Sequence, residues 1–212
     1  MSDLKRKIPR QSRARKTLET LLEATAQILA TEGSERLTTN YVAQKAGYSI
    51  GTVYQYFPNR EAIVLGLIER QREQVRQQIA IVLDVEGDAT PERQIRSIIQ
   101  VLHRAFARHR LPERRLVQAL TRHALANGLP AVPDTAVQAI LEVWQGRGAD
   151  ARPLDESEVF VLSGGLVETL RRATLQGFTR LGTEQFEDAL ARMVMGFLNA
   201  STPMFADVEH GK

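Results

Sequence analysis

The chain has 212 residues, of which 43% are hydrophobic and 25% are charged, an ordinary balance for a soluble globular protein. It contains no cysteine, which excludes disulfides, thiolate-held iron–sulfur clusters and thiol catalysis. The net charge of +3 is unevenly distributed: residues 1–60 hold ten Lys/Arg against five Asp/Glu, whereas residues 61–212 hold eighteen against twenty. A basic head on a nearly neutral body indicates that the head binds a polyanion.

The chain start and the hydropathy pattern give no sign of export or of membrane insertion. The first ten residues are basic but lack the apolar core of a secretory signal. No run of about 18 apolar residues predicts a transmembrane helix. We therefore expect a cytoplasmic protein.

Helical periodicity runs through nearly the whole sequence, and no alternating strand pattern persists. The first helix is predicted over about 12–31, with an apolar stripe that includes Leu18, Leu21 and Leu22. Three helices follow, beginning at Thr38 or Thr39, after Ser49 and after Asn59. Further helices are expected at about 92–109, 113–127, 134–146, 155–178 and 183–200. The sequence therefore predicts an all-α fold of about nine helices.

The segment 37–57 is the most informative part of the sequence, because it reads as two short helices joined by a tight turn at Gly47. Val53 and Phe57 give the second of these helices an apolar inner face. Its outer face carries small and polar groups, including Gly51, although glycine costs about 1 kcal/mol against alanine inside a helix. This combination is typical of a helix-turn-helix, whose second helix enters the major groove of DNA.

The outer side chains have chemistry suited to DNA. Gln55 can pair bidentately with adenine, and Thr52 or Ile50 can contact a thymine methyl group. Hydroxyl and cationic groups around them suit phosphates, which set the register of a protein on DNA without reading its sequence. The phosphate candidates are Thr38, Thr39, Tyr54, Tyr56 and Arg60.

The same residues resemble the signature of the TetR/AcrR family of transcriptional regulators. The resemblance covers about 14–74. It rests on Gly33, Leu37-Thr38-Thr39, Val42 to Gly47, Ser49-Ile50-Gly51-Thr52-Val53-Tyr54-Gln55-Tyr56-Phe57 and Arg60-Glu61. Position 60 is more often lysine in the family, and arginine keeps the charge. The resemblance implies DNA contacts from Thr38, Thr39, Asn40, Ser49, Ile50, Gly51, Thr52, Tyr54, Gln55, Tyr56 and Arg60.

The resemblance also implies a division of the chain into functional parts. Residues 1–13 are expected to form a basic N-terminal arm, 14–74 the DNA-binding domain, and 75–212 an effector-binding and dimerisation domain. The arm is a second DNA candidate, because such arms can lie in a minor groove or along phosphates, although a solubilising tail is an equal alternative. Its basic residues, with those just after it, are Lys5, Arg6, Lys7, Arg10, Arg13, Arg15 and Lys16.

The last two predicted helices carry wide apolar faces, and Gly164-Gly165 would let another helix approach closely. The family resemblance implies that they pair with their copies in a four-helix bundle; the alternative is a purely intramolecular core. The interface residues expected are Phe160, Gly164, Val167, Leu170, Phe186, Leu190, Met193 and Phe197.

The family usually holds a small-molecule effector in the second domain. Candidate contacts are His103, Phe106, Leu116, Leu120, His123, Trp144 and Val167, and for each the strong alternative is an ordinary core or surface residue. The hypothesis is a repressor that binds a near-palindromic operator as a homodimer and is released by an effector of unknown identity. Alternatives are an activator and an architectural DNA binder without a ligand.

Enzymatic motifs are missing from the sequence, which has no HExxH, P-loop, GxGxxG or GxSxG pattern. His103 and His109 are six residues apart, which places them on different faces of a helix and does not suit a metal. We therefore expect no catalytic activity, no metal and no cofactor.

Overall fold

The computed structural model describes residues 10–106, 111–128, 132–146 and 152–200. Within these ranges the protein has nine α-helices, one 3-10 helix at Ser34–Arg36 and no strand, which confirms the all-α prediction. The α-helices are α1 (Arg10–Thr31), α2 (Thr39–Ala46), α3 (Ile50–Tyr56), α4 (Arg60–Glu86), α5 (Pro91–Phe106), α6 (Leu111–Ala126), α7 (Val132–Gln145), α8 (Glu156–Gln176) and α9 (Glu184–Asn199).

Hydroxyl side chains cap the short helices, because the first N–H groups of a helix have no partner within it. The Thr38 hydroxyl accepts a hydrogen bond from the Tyr41 amide at 3.1 Å, and the Ser49 hydroxyl accepts one from the Thr52 amide at 3.1 Å. At the end of α2, Gly47 adopts a left-handed conformation with φ of 73°, a conformation that costs other residues more.

The described residues form two compact units. The first contains α1, α2, α3, α4 up to Arg72, and α6. Its core is a continuous apolar cluster that includes Leu21, Ile28, Val53 and Leu67. Leu120 of α6 is also part of this cluster.

The position of α6 differs from the predicted division of the chain. Residues 75–212 were predicted to form a single second domain, but α6 packs against α1 and belongs to the same compact unit as α2 and α3. The physical reason is that Leu120 and Ala124 of α6 are buried in the core of the first unit. Local periodicity shows that α6 has an apolar face but not which helix covers that face.

The second unit comprises the rest of α4 with α5, α7, α8 and α9. Its α5 contacts α7, α8 and α9. The buried apolar residues of α5 include Ile95, Ile98 and Leu102. Polar contacts also join α5 to α9: Arg96 pairs with Asp188 at 2.8 Å, and the Gln100 amide donates to Glu187 at 2.9 Å.

Two further features of the described residues concern membrane-spanning helices and clusters of metal ligands. None of the described helices has both the length and the apolar character that a membrane span requires. The described ranges also contain no group of three or more His, Cys, Asp or Glu side chains arranged to hold a metal ion.

Candidate DNA-binding surface

Helices α2 and α3 are held together by apolar inner faces. Val42 and Ala43 of α2 are buried, as are Val53 and Phe57 at the α3 side. The Tyr48 amide donates to the Ala43 carbonyl at 3.0 Å and closes the turn between the helices. The two helices therefore meet at a fixed angle, as a helix-turn-helix requires.

The outer side of α3 is open to solvent where the sequence analysis expected DNA contacts. Gly51, Tyr54 and Gln55 are exposed, and 54% of Tyr54 is accessible. Ile50 and Tyr56 are partly buried against the core, so they lie at the edges of this surface. Thr52 is half-buried between these positions. The open strip on α3 is therefore narrow and centred on three residues.

The caps of the two helices lie at the same surface. Thr38 and Ser49 are exposed, and Asn40 next to the first cap is exposed as well. Each capping hydroxyl accepts a backbone N–H, and a hydroxyl can donate its own hydrogen at the same time. The Ser49 and Thr52 hydroxyls are bonded to each other at 2.9 Å. The Thr38 hydroxyl makes no second bond with the described part of the chain and so can donate to a phosphate oxygen.

Tyr54 and the start of α2 are linked across the motif. The Tyr54 hydroxyl lies 3.4 Å from the Thr39 hydroxyl, a long contact at the outer limit of a hydrogen bond. This places two predicted phosphate ligands side by side, although fifteen residues separate them in sequence.

Gly51 is not required by the fold. Its φ is not positive, and a Cβ built on it would meet only the Ser49 Oγ, at 3.7 Å. An alanine at this position would therefore fit the free protein without strain. The glycine leaves space on the exposed side of α3 for a close approach from outside.

Glu32, which the sequence analysis did not single out, anchors α2 to the end of α1. Its carboxylate accepts hydrogen bonds from Lys45 Nζ at 2.8 Å and from the Tyr41 hydroxyl at 2.9 Å. The bond from Lys45 and then the bond from Tyr41 are the main causes that hold the pKa of Glu32 below its ordinary value of 4.5. No local sequence signal points to this cluster, because Glu32 lies nine and thirteen residues from its partners.

Arg60 begins α4 and is exposed, with its Nε bonded to the Glu61 carboxylate at 3.1 Å. Arg13, Arg15 and Lys16 are exposed on the first turns of α1. The rest of the predicted basic arm, residues 1–9, lies outside the described residues, and so does the side chain of Arg10.

The seven predicted effector contacts divide between the two units. Leu116, Leu120 and His123 belong to the first unit, where Leu120 is core and Leu116 packs against it. His103, Phe106 and Trp144 are buried in the second unit, and Val167 is half-buried there.

Two of these residues have polar atoms engaged inside the protein. His103 Nε2 accepts a hydrogen bond from the Gly182 amide at 2.9 Å, and its Nδ1 lies 3.5 Å from Glu187. Trp144 Nε1 donates to the Arg152 carbonyl at 3.0 Å. Both side chains therefore have structural roles in the second unit.

The predicted dimer residues fall into two groups. Phe160, Gly164 and Met193 are exposed, with 78% of Phe160 accessible, and Val167, Phe186 and Phe197 are half-buried. Leu170 and Leu190 are a correction, because both are buried in the core of the protomer and have almost no surface to offer a partner. The helical faces of α8 and α9 are apolar on more than one side, and the sequence pattern could not tell the inner side from the outer one.

Comparison with known proteins agrees with this geometry. A family model described as "Bacterial regulatory proteins, tetR family" matches residues 21–67, which include α2, α3 and the start of α4. The chain is 34% identical over 182 residues to the nucleoid occlusion factor SlmA of Vibrio vulnificus, covering 80% of this chain and 90% of that protein. It is 31% identical over 181 residues to SlmA of Photobacterium profundum, covering 80% and 89%.

The fold is also similar to that of a solved structure, a TetR family transcription regulator from Marinobacter aquaeolei. The TM-score is 0.59 at 19% identity, with 89% of this chain and 98% of that chain covered. The SlmA relatives are members of the same family. With its matched helix-turn-helix and relatives that extend across both units, the chain belongs to the TetR family of bacterial regulatory proteins, a family of DNA-binding regulators and not of enzymes.

Proposed function

We propose that the protein is a homodimeric transcriptional repressor that reads a near-palindromic operator with two copies of α3. The observation that carries the proposal is the open strip of α3, where Gly51, Tyr54 and Gln55 are exposed beside capped helix ends. We infer that the partner is DNA, because small and polar groups on the outer side of a helix suit a position in the major groove.

Each group on this surface has a distinct role. Gln55 offers an amide that can pair with both hydrogen-bonding groups of adenine in the major groove. Thr38 and Arg60 are both exposed, and we propose that they bind phosphates, contacts that would fix the register of the protein on DNA. Asn40, Thr39 and Tyr54 complete the set of proposed backbone contacts.

The proposed dimer uses the outer sides of α8 and α9. Phe160 is 78% exposed and Met193 is 38% exposed, and large apolar groups in such positions on neighbouring helices favour a protein partner. A Cβ added at Gly164, Gly165 or Gly196 would meet nothing within 4 Å in the protomer, so another helix can approach closely there. We propose a second copy of the chain as this partner, because a twofold-symmetric dimer presents two α3 helices to the two half-sites of a near-palindrome.

Selection of preferred sites from random DNA tests the reading function directly. We expect a near-palindrome whose half-sites are centred about 34–36 Å apart or a multiple of that distance. Gln55→Ala should lower affinity for that site by about 1–3 kcal/mol and relax the preference at one base pair of each half-site. Gln138→Ala, which changes an exposed glutamine of α7 in the second unit, is the control.

The outcome decides between classes of DNA-binding protein. Equal affinity for all DNA sequences would contradict a repressor and favour an architectural DNA-binding protein. A preferred site at which binding raises transcription from the adjacent promoter would replace it with an activator.

Release by a small-molecule effector is the second part of the proposal. An effector that binds the folded protein stabilises it by RT ln(1 + [L]/Kd), about 2.7 kcal/mol at a hundred times Kd. A thermal-shift screen of small apolar and cationic compounds, followed by operator binding with each hit, tests this part. A hit that leaves operator affinity unchanged contradicts the release mechanism.

A second candidate function is nucleoid occlusion, and one observation favours it. The similarity to proteins named nucleoid occlusion factor extends over 80% of this chain, so it includes the second unit as well as the DNA-binding helices. Mapping of the bound sites on the chromosome separates the two functions. Sites confined to one or a few promoters support the repressor, whereas sites spread around the chromosome, with septa over nucleoids in a deletion strain, support nucleoid occlusion. Either function acts on the chromosome and so requires a cytoplasmic location.

A further inference from the structure

Helix α6 brings positive charge to the DNA-binding unit. Although it begins more than fifty residues after α3, Leu120 and Ala124 fix it in the same core as the helix-turn-helix. It carries Arg115 and Arg122, and both side chains are exposed. The positive charge of α6 therefore belongs to the same packed unit as α2 and α3.

The arginines of α6 differ from many other arginines of the described residues. Arg96, Arg152 and Arg171, for example, are each paired with a carboxylate. Arg115 and Arg122 form no ion pair or hydrogen bond with the part of the chain that is described. Unpaired guanidinium groups are free to bind an external anion, and they bind phosphate well.

Their spacing places the two arginines on one flank of the helix. Residues seven apart are separated by two helical turns, so Arg115 and Arg122 are aligned and about 10 Å apart along the axis. The phosphates of one DNA strand follow one another about every 3.4 Å along the helix axis, so a stripe about 10 Å long can reach more than one of them.

The C-terminal part of α6 lies near the start of α4. His123 adjoins Arg122, and its Nε2 is buried without a hydrogen-bond partner among the described residues. Burial is the main cause that lowers the pKa of His123, and the charges of Glu61 and Arg60 also act on it, which places all three groups in one neighbourhood. The end of α6 that carries Arg122 therefore lies towards the start of α4, where Arg60 is a proposed phosphate ligand.

We propose that Arg115 and Arg122 of α6 form an accessory phosphate-binding stripe that extends the DNA contact beyond the helix-turn-helix. This inference rests on the proposed DNA-reading function and adds a contact to it. We expect the stripe to bind backbone and not bases, because the two arginines lie outside the reading helix α3 and guanidinium groups bind phosphates well. It strengthens binding without changing the preferred sequence.

The test compares the salt dependence of operator binding for the wild type and for R115A/R122A. Each lost phosphate contact should reduce the slope of log K against log salt by about 0.9, so the double variant should lose roughly two units. The affinity ratio of wild type to variant should then fall by about tenfold between 50 and 200 mM salt. The preferred base sequence should be the same for both proteins.

Two further variants make the result specific. Arg104→Ala changes an exposed arginine of α5 in the second unit, and its slope should equal that of the wild type. R115K/R122K keeps both charges, so it should retain the wild-type slope and also shows whether substitution alone disturbs the fold.

Each outcome has a defined meaning. An R115A/R122A slope equal to that of the wild type, with specific binding intact, overturns the stripe and leaves the proposed function standing. The stripe is also overturned if R115K/R122K loses as much slope as the alanine variant. If the wild type itself has no preferred site, the proposed function fails instead.

Discussion

Gly51 is a residue at which stability and DNA binding have opposite requirements. Nothing in the free protein needs a glycine there, because its φ is not positive and a Cβ would meet only the Ser49 Oγ at 3.7 Å. Gly51→Ala should therefore raise the free energy of unfolding by up to about 1 kcal/mol, since alanine is the better helix former. The same methyl group should lower operator affinity, because it occupies the space left for DNA.

Chemical denaturation and operator titration of the same preparation measure both effects. Gly51→Val should reduce affinity further than alanine does, because the side chain is larger. An alanine variant that binds the operator as tightly as the wild type would contradict close approach at this position.

His123 predicts a pH dependence of stability. Burial, the largest cause, lowers its pKa below the ordinary value of 6.5, so the unfolded chain binds a proton more readily than the folded protein does. The contribution of His123 to stability is therefore complete above pH 6.5 and is lost as the pH falls through the lowered folded-state value. His123→Gln, which cannot titrate there, should lose less stability than the wild type on going from pH 7.5 to 5.5.

Urea unfolding of both proteins at the two pH values gives the difference directly, and the other histidines cancel in the comparison. The carboxylates with a lowered pKa, such as Glu32 and Asp188, titrate below their ordinary values of 4.5 and 3.8 and so lie outside this window. Equal losses in the two proteins would mean that His123 is as easily protonated when folded as when unfolded.

At the scale of the elements, the packing of α4 depends on a glycine of a different kind. A Cβ on Gly66 would lie 2.9 Å from Phe57 Cε1 and 3.4 Å from Leu22 Cδ2. Gly66→Ala should therefore destabilise the protein by about 1–3 kcal/mol through overpacking, despite the better helix propensity of alanine. The Gly51→Ala variant is its matched control, since the same substitution in another helix should have the opposite sign.

The measurement is the shift of the urea midpoint for each variant at constant m value. Phe57→Leu in the Gly66→Ala background should recover part of the loss by making room for the methyl group. A Gly66→Ala protein as stable as the wild type would show that the ring of Phe57 moves aside at no cost.

The helix ends could be predicted from the sequence, whereas the partners of the helices could not. Thr38, Ser49 and Gly47 act within one helical turn, so their residue types alone indicate where α2 and α3 begin and end. The place of α6 in the first unit depends on which apolar face covers Leu120, and that is decided by residues far away in sequence. The same limit explains Glu32, whose two partners are brought to it only by folding.

In the second unit, too, the sequence could not predict which sides of α8 and α9 are covered by other helices. Apolar periodicity predicted the helices α8 and α9, but Leu170 and Leu190 were expected at an interface although both are core. Leu170 lies on the side of α8 that other helices of the protomer cover, whereas Phe160 lies on an uncovered side. A helix with apolar residues on more than one side does not show in its sequence which side the protomer covers.

At the scale of the whole molecule, DNA binding should depend on an exposed side chain of the second unit, more than a hundred residues after α3 in the sequence. Burying a phenylalanine side chain stabilises a contact by about 1.5–3 kcal/mol, and each proposed dimer buries two copies of Phe160. Phe160→Glu removes this gain and adds a charge whose desolvation opposes association. We expect the dimer to weaken by about 100-fold or more.

Sedimentation analysis should then show a monomer at concentrations where the wild type is a dimer, and the affinity for a full operator should fall because two half-sites are no longer bound together. Affinity for an isolated half-site should remain that of the wild type, since α3 is unchanged. Val85→Glu, at an 80% exposed apolar residue of α4, is the control and should leave both properties intact. A Phe160→Glu protein that stays dimeric would move the interface away from this part of α8, whereas a monomer that binds the full operator with undiminished affinity would mean that one reading head is enough.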